Sequence, residues 1–287
     1  MAHLIALAIL YFVGSVSAVS FPMHHHGPWG GESPYKFTAC CPGQNYKGLS
    51  NVKYYFHQLG YISDTLPSTF DDNFDDTLVS AIKTYQMNYN LKVTGKLDHD
   101  TLQQLTTPRC GVPDITKTNT TMMRWAEGTT HLTYAFSPEW SLHNTFKSAF
   151  ARAFSKWALV VNIAFDEATS YETANIKIAF RRRNHGDHYP FDGPLGTWAH
   201  AFAPPDGTCH FDGDEYWVAS GDVTRSPVAR AVDLESVAMH EIGHLLGLPH
   251  SWDHTAIMYA YLNPRTRKVD LANDDIQGIR HLYDLYH

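Results

Sequence analysis

HEIGHLLGLPH, His240 to His250, decides how this chain reads. It continues an apolar run that predicts a helix from about Leu234 to Leu246. Residues four apart on a helix lie on one face, about 40° out of line, so His240 and His244 can hold one ion. Gly247 can end the helix in a left-handed conformation and turn the chain, which makes His250 a third ligand from outside it. Three imidazoles leave one tetrahedral position of a zinc ion open, the arrangement for catalysis, whereas structural zinc is closed by four protein ligands. Glu241 follows the first His, where a carboxylate can take a proton from water rather than bind the ion. Zinc lowers the pKa of such a water toward ~7 and polarises a scissile carbonyl. The alternatives are two helix histidines in a packed core, or a zinc-holding protein that does not cleave; Glu241 argues against the second.

A bare H-E-x-x-H arises often by chance, but this longer form is followed by Met258 in AIMYAY, at the position of the Met-turn of metzincin proteases. The rest of the chain is compatible with an exported enzyme. It has 287 residues, 44% hydrophobic and 18% charged, a globular balance that excludes a wholly disordered or collagen-like chain and suggests two domains. A net charge of -7 with no long Lys/Arg block leaves no electrostatic footprint for nucleic acid or anionic lipid. Residues 1–18 read as a signal peptide, with an apolar stretch from Leu4 to Val13 and Val16 and Ala18 placed as in a cleavage site. That stretch is short of the roughly 20 residues a membrane span needs, and the carboxy end carries no lipid-anchor tail.

Residues 19–48, rich in His, Pro and Gly and containing His24, His25 and His26, read as a flexible leader. Residues 49–114 contain three helical stretches; Leu78, Ile82, Tyr85 and Tyr89 recur at helical spacing in the second, and Asp98 or Asp100 can cap the third. With TGKLDHDTLQQL followed by PRCGVPD, this unit resembles the peptidoglycan-binding-like prodomain of the matrix metalloproteinases. Residues 115–130 read as a Thr- and Asn-rich linker, with Asn119 in a glycosylation sequon. In 131–287, HLTYAF, ANIKIAF, TWAHAFAP and CHFD read as strands. An apolar helical stripe runs through Phe146, Phe150, Phe154, Trp157 and Val161, and a closing helix spans about Ala272 to Tyr286. The expected fold is α+β: a metzincin catalytic domain, with a twisted mixed sheet and three helices, behind a small three-helix prodomain.

The resemblance to matrixins extends through RRRNHGDHYPFDGPLGTWAHAFAP, HFDGDEYW and LANDDIQGIRHLY. It implies a second, structural zinc on His185, Asp187, His200 and His210, and such a shell is tetrahedral and closed. It assigns at least one calcium to Asp192, Asp212 and Glu215 with main-chain oxygens of Gly193, Leu195 and Thr197, all hard oxygen donors. The short spacing from His200 to His210 and the lack of a carboxy-terminal propeller make the chain look most like plant-type matrixins.

PRCGVPD, Pro108 to Asp114, matches that family's cysteine switch. Cys110 can occupy the open zinc position and hold the enzyme latent, with Arg109 and Asp114 placed to pair. A disulfide from Cys110 to Cys209 or Cys40 is the alternative; Cys209 itself has no assigned role. The family also implies that Asp274 or Asp275 pairs with the amino terminus made by activation. A pocket for the residue after the cut bond is expected from Ser236, Tyr259, Ala260, Tyr261 and Leu262, deep and apolar because Ser236 is small and Ala260 replaces a proline. The reading is a secreted, monomeric zinc endopeptidase made as a zymogen, acting on extracellular proteins before large apolar residues. The rival is a zinc-holding pseudoprotease or a cell-wall glycan binder.

Overall fold

The computed structural model describes residues 33–63, 69–116, 123–140 and 142–283. The signal peptide, His24–His26, Asn119 and the last expected residues of the closing helix, from 284 on, lie outside the described residues.

The amino-terminal unit consists of α1 (Leu49–Gln58), α2 (Asp76–Asn88) and α3 (His99–Leu105). Their apolar faces bury Val52, Phe56, Leu78, Ile82, Tyr85 and Leu102 in one core. Asp75 caps α2 by accepting from Leu78 N at 2.9 Å. Asp98, not Asp100, caps α3 by accepting from Thr101 N at 3.1 Å. The flexible leader expected over 19–48 is corrected at its end: Pro34–Ala39 forms a 3-10 turn, and Phe37 and Cys40 are buried in the helical core. One well-placed aromatic outweighs the Pro- and Gly-rich composition around it.

The second unit runs β1 (His131–Phe136), α4 (Asn144–Val161), β2 (Ala164–Glu167), β3 (Ile176–Arg181), β4 (Ala199–Ala201), β5 (Thr208–Asp212), β6 (Tyr216–Val218), β7 (Ala231–Asp233), α5 (Leu234–Leu245) and α6 (Asn273–Leu282). Five strands form a mixed sheet in the order β2-β1-β3-β5-β4, parallel except for the β4–β5 pair. Strands β2, β6 and β7 were not legible in the sequence, being only three or four residues long. The aromatic stripe of α4 enters the core as expected, with Phe150, Phe154, Trp157 and Val161 buried. Part of the expected linker 115–130 also belongs to this unit. Trp125 Nε1 donates to Leu245 O at 2.9 Å and Arg124 Nη1 to Leu282 O at 2.9 Å, so the chain is docked well before β1.

Helix α5 carries the sequence that decided the reading, and every one of its residues is buried. Asp233 caps its start, accepting from Ser236 N at 2.8 Å. Gly247 ends it with φ +102°, where a Cβ would lie 1.8 Å from Met123 O. Within the helix, Gly243 is where the Met258 side chain packs in: a Cβ there would lie 2.2 Å from Met258 Sδ and 3.1 Å from Trp157. Gly243→Ala should therefore overpack this contact, cost about 1–3 kcal/mol and lower the thermal midpoint. An unchanged midpoint in a melting experiment would show that Met258 has room to move aside.

Candidate metal centre

His240 and His244 face one point from consecutive turns of α5, and His250 reaches it from the chain reversed at Gly247. Each ring is oriented through Nδ1: His240 to Ile257 O at 2.7 Å, His244 to Leu248 O at 2.7 Å and His250 to Asp114 Oδ1 at 2.9 Å. Carbonyl and carboxylate oxygens only accept, so each Nδ1 carries the proton and each Nε2 presents a bare lone pair. The Nε2 atoms of His240 and His244 lie 3.1 Å apart, and that of His250 is buried without a partner. Lone pairs so placed repel unless a cation lies between them, and this donor set fits zinc. Burial drives His240 and His244 well below the usual imidazole range, which keeps them in the ligating form.

Cys110 Sγ completes the group, 3.5 Å from His244 Nε2, and the four ligand atoms all lie within 4.8 Å of one another. All four cysteines are free, which removes the disulfide alternative for Cys110. Burial, then the Glu241 charge, pushes the Cys110 thiol far up, so only a cation makes the thiolate the stable form there. Both Glu241 oxygens are buried without a hydrogen-bond partner, and burial pushes this acid up to about 8.

The segment around Cys110 is threaded between two edges. Arg109 N donates to Gly196 O at 2.9 Å and Gly111 N to Ala199 O at 2.8 Å on the β4 side. Cys110 N donates to Ala260 O at 2.9 Å, and Pro108 O accepts from Leu262 N at 3.2 Å, on the other. Arg109 and Asp114 form a buried ion pair, which holds Asp114 well below the usual carboxylate range against the effect of burial.

A second group forms on the sheet edge. The β4–β5 register sets His200 opposite His210, and Asp187 Oδ2 lies 2.9 Å from His185 Nε2, 2.7 Å from His200 Nε2 and 2.8 Å from His210 Nδ1. His185 gives its Nδ1 proton to Arg183 O at 2.8 Å, so a bare Nε2 confronts a carboxylate oxygen, again a geometry that calls for a cation. Nearby, Asp192 Oδ1 accepts from Thr197 N at 2.9 Å and Glu215 Oε1 from Leu195 N at 2.7 Å. Asp212 Oδ2 and Glu215 Oε2 are buried without partners. Burial, with the acidic neighbours, pushes Asp212 up to about 6 and Glu215 up to about 9. Such an oxygen-rich cluster, with two buried carboxylate oxygens left without partners, fits a hard divalent cation.

A cavity beside Glu241 is lined by Ser236, Tyr259, Ala260, Tyr261 and Leu262, and also by Trp198 and Lys268. Its lining is thus less apolar than the sequence suggests. Ser236 Oγ donates to Asp233 Oδ1 at 2.6 Å and accepts from Lys268 N at 2.8 Å. The Lys268 ammonium is tied to His254 O at 2.8 Å and lies over the Tyr259 ring. The Tyr261 hydroxyl meets Tyr85 of α2 at 2.7 Å. The Met-turn is held from beneath by Asp275, whose carboxylate accepts from Ile257 N at 2.8 Å and Met258 N at 3.0 Å. Asp274 is the exposed one of the pair and accepts from Ser251 Oγ at 2.6 Å. Cys209 is a buried strand residue packed in the core. Sequence spacing carried no signal for Lys268, for the Asp275 brace or for the Asp114–His250 bond, since each joins residues far apart in the chain.

Comparison with known proteins bears on this arrangement. Residues 124–284 match the family model described as matrixin, and residues 45–105 match one for a peptidoglycan binding domain. The chain is 67% identical to Metalloendoproteinase 1 of Glycine max, over 98% of this chain and 96% of that one. It is 45% identical to Metalloendoproteinase 2-MMP of Arabidopsis thaliana, over 86% of this chain and 73% of the relative. With Matrix metalloproteinase-16 of Homo sapiens it shares 36% identity over 81% of this chain and 41% of the relative.

Proposed function

The chain belongs to the matrixin family of zinc metalloendopeptidases, and from that premise we propose that it is a secreted enzyme made as a latent zymogen. The observation that carries this reading is the double edge pairing of residues 108–111, which fills the cleft where an extended peptide would lie and sets Cys110 Sγ beside the three Nε2 atoms. His240, His244 and His250 hold the catalytic zinc, with Cys110 as its fourth ligand before activation. His185, Asp187, His200 and His210 hold a second zinc. Asp192, Asp212 and Glu215, with carbonyls of Gly193, Leu195 and Thr197, hold calcium. Asn119 is a glycan site, and among the described residues no helix is long and apolar enough to cross a membrane.

When bound, zinc supplies Lewis acidity toward the scissile carbonyl and toward the attacking water. Glu241 takes a proton from that water and returns it to the leaving amine, a role open to a buried carboxylate with both oxygens unpartnered. Removing the helical unit uncovers the peptide-binding edges at 196–199 and 260–262, and the cavity next to them receives the residue after the cut bond. The residue it would receive is Leu, Ile, Met or Phe, with Lys268 as part of the wall.

On a peptide library, the mature enzyme should cut before Leu roughly tenfold or more faster than before Ala, at ~0.8 kcal/mol for each buried methylene. Zinc-loaded Glu241→Ala should lose about 10²–10⁴-fold of that rate; near-normal turnover would remove Glu241 from the chemistry. In the uncut zymogen, Cys110→Ser should raise activity, because a hydroxyl is a poorer zinc ligand than a thiolate. Equal latency of the two zymogens would leave steric blocking as the cause.

The acidic loop gives a pH test. Asp212 and Glu215 are raised in the folded protein, to about 6 and about 9, so the native state binds more protons than the unfolded chain until pH passes those values. Without a cation, stability therefore falls as pH rises through that window. Calcium binds the ionised pair, so its addition should raise the thermal midpoint more at about pH 8 than at about pH 5. An equal or smaller gain at the higher pH would argue against these ligands.

A further inference from the structure

Two of the three centre histidines are oriented by carbonyls of the catalytic unit itself, Ile257 O and Leu248 O. The third is not. His250 Nδ1 bonds to Asp114 Oδ1 at 2.9 Å, and both side chains are fully buried. Asp114 is contributed by the segment that also carries Cys110, and its carboxylate is fully used: Oδ2 accepts from Tyr61 Oη at 2.9 Å and from Arg109 Nη1 at 3.1 Å. A carboxylate on the far nitrogen of a ligating imidazole fixes its tautomer and raises its basicity, more than a neutral carbonyl does.

The geometry points to Asp114 as a positioning residue for His250, so that the switch segment grips the zinc centre at two places: directly through Cys110 Sγ and indirectly through Asp114 and the His250 ring. This rests on the zymogen reading above. Excision of the helical unit then removes one ligand and strips a second of its orienting partner, while His240 and His244 keep theirs. The zymogen should hold zinc more tightly than the mature enzyme by a contribution separable from the thiolate.

The test follows zinc loss from uncut, zinc-loaded zymogens to excess EDTA, alongside the His250 Nδ1 proton in NMR spectra. Asp114→Ala should speed zinc loss about 10–100-fold and abolish the downfield Nδ1 proton signal. The acceleration should persist in a Cys110→Ser background. Arg109→Lys, which loosens the two-pronged ion pair but keeps a cation beside Asp114 and leaves the Asp114–His250 bond, should change the rate less than about threefold and keep the signal. Asp114→Asn covers the case in which the alanine variant releases the helical unit, read as activity of the uncut chain. The amide oxygen still accepts but lacks the charge, so zinc loss should quicken about 3–10-fold with the signal retained. Wild-type rates in Asp114→Asn would overturn the inference. So would equal effects of Arg109→Lys and Asp114→Ala, because Asp114 would then act only by bracing the segment. Absence of zinc from every purified zymogen would instead strike at the metalloenzyme reading itself.

Discussion

Three imidazole lone pairs, a thiol and an unpartnered carboxylate converge in one buried centre, and most of the surrounding structure serves to keep them there. Without a cation this convergence is unfavourable, because like acceptors 3.1 Å apart repel and burial removes the water that would screen them. The rings cannot turn away, since each Nδ1 is anchored to an acceptor. Helix α5 cannot move aside, being buried along its whole length. A further layer supports it: Met258 packs at Gly243, Asp275 holds the backbone at Ile257 and Met258, and Trp157 Nε1 donates to Met239 O at 2.8 Å. The site is preorganised by contacts from α4, α6 and the turn between α5 and α6.

The two units share more than a boundary. Ala260 and Tyr261, in the wall of the cavity, are part of the hydrophobic core of the helical unit. Tyr261 stacks under the Arg109 guanidinium and bonds to Tyr85, while Tyr89 packs edge-on against Tyr259, Tyr261 and Trp252. The segment at Arg109–Gly111 forms strand-like bonds to both sides of the cleft. Separation of the units thus requires giving up backbone pairing, an aromatic interface and the centre's sulfur contact together. Latency of the proposed zymogen would then rest on all three kinds of contact, which meet at the Arg109–Gly111 segment and Tyr261.

Local information was enough to single out the candidate ligands on α5 and just beyond it. His240, Glu241 and His244 are positioned by helical periodicity, His250 by the glycine-terminated turn, and both depend on residues within eleven positions of one another. The heptapeptide around Cys110 and the second histidine group were legible through the resemblance to matrixins, with the donor chemistry of Cys, His and Asp consistent with it. The stripe on α4 and the capped helices of the first unit follow from periodicity in the same way. What failed was short or compositional: three brief strands, and a leader whose last residues are held by one buried aromatic.

The sequence by itself therefore singled out the candidate ligand set, the carboxylate proposed as general base, the helix that carries them and the thiol that reaches them. Only tertiary structure decided how those groups are oriented and what shares their surroundings. The β4–β5 register brings His200 and His210 to one carboxylate. Lys268 enters the cavity wall, Asp275 rather than Asp274 supports the Met-turn, and Asp114 turns from a partner of Arg109 into a partner of His250 as well. The physical reason is one of range. Helical and strand spacing fix which neighbours a residue faces within a few positions, whereas a buried polar group takes its hydrogen-bond partner from whatever element packing brings within about 3 Å.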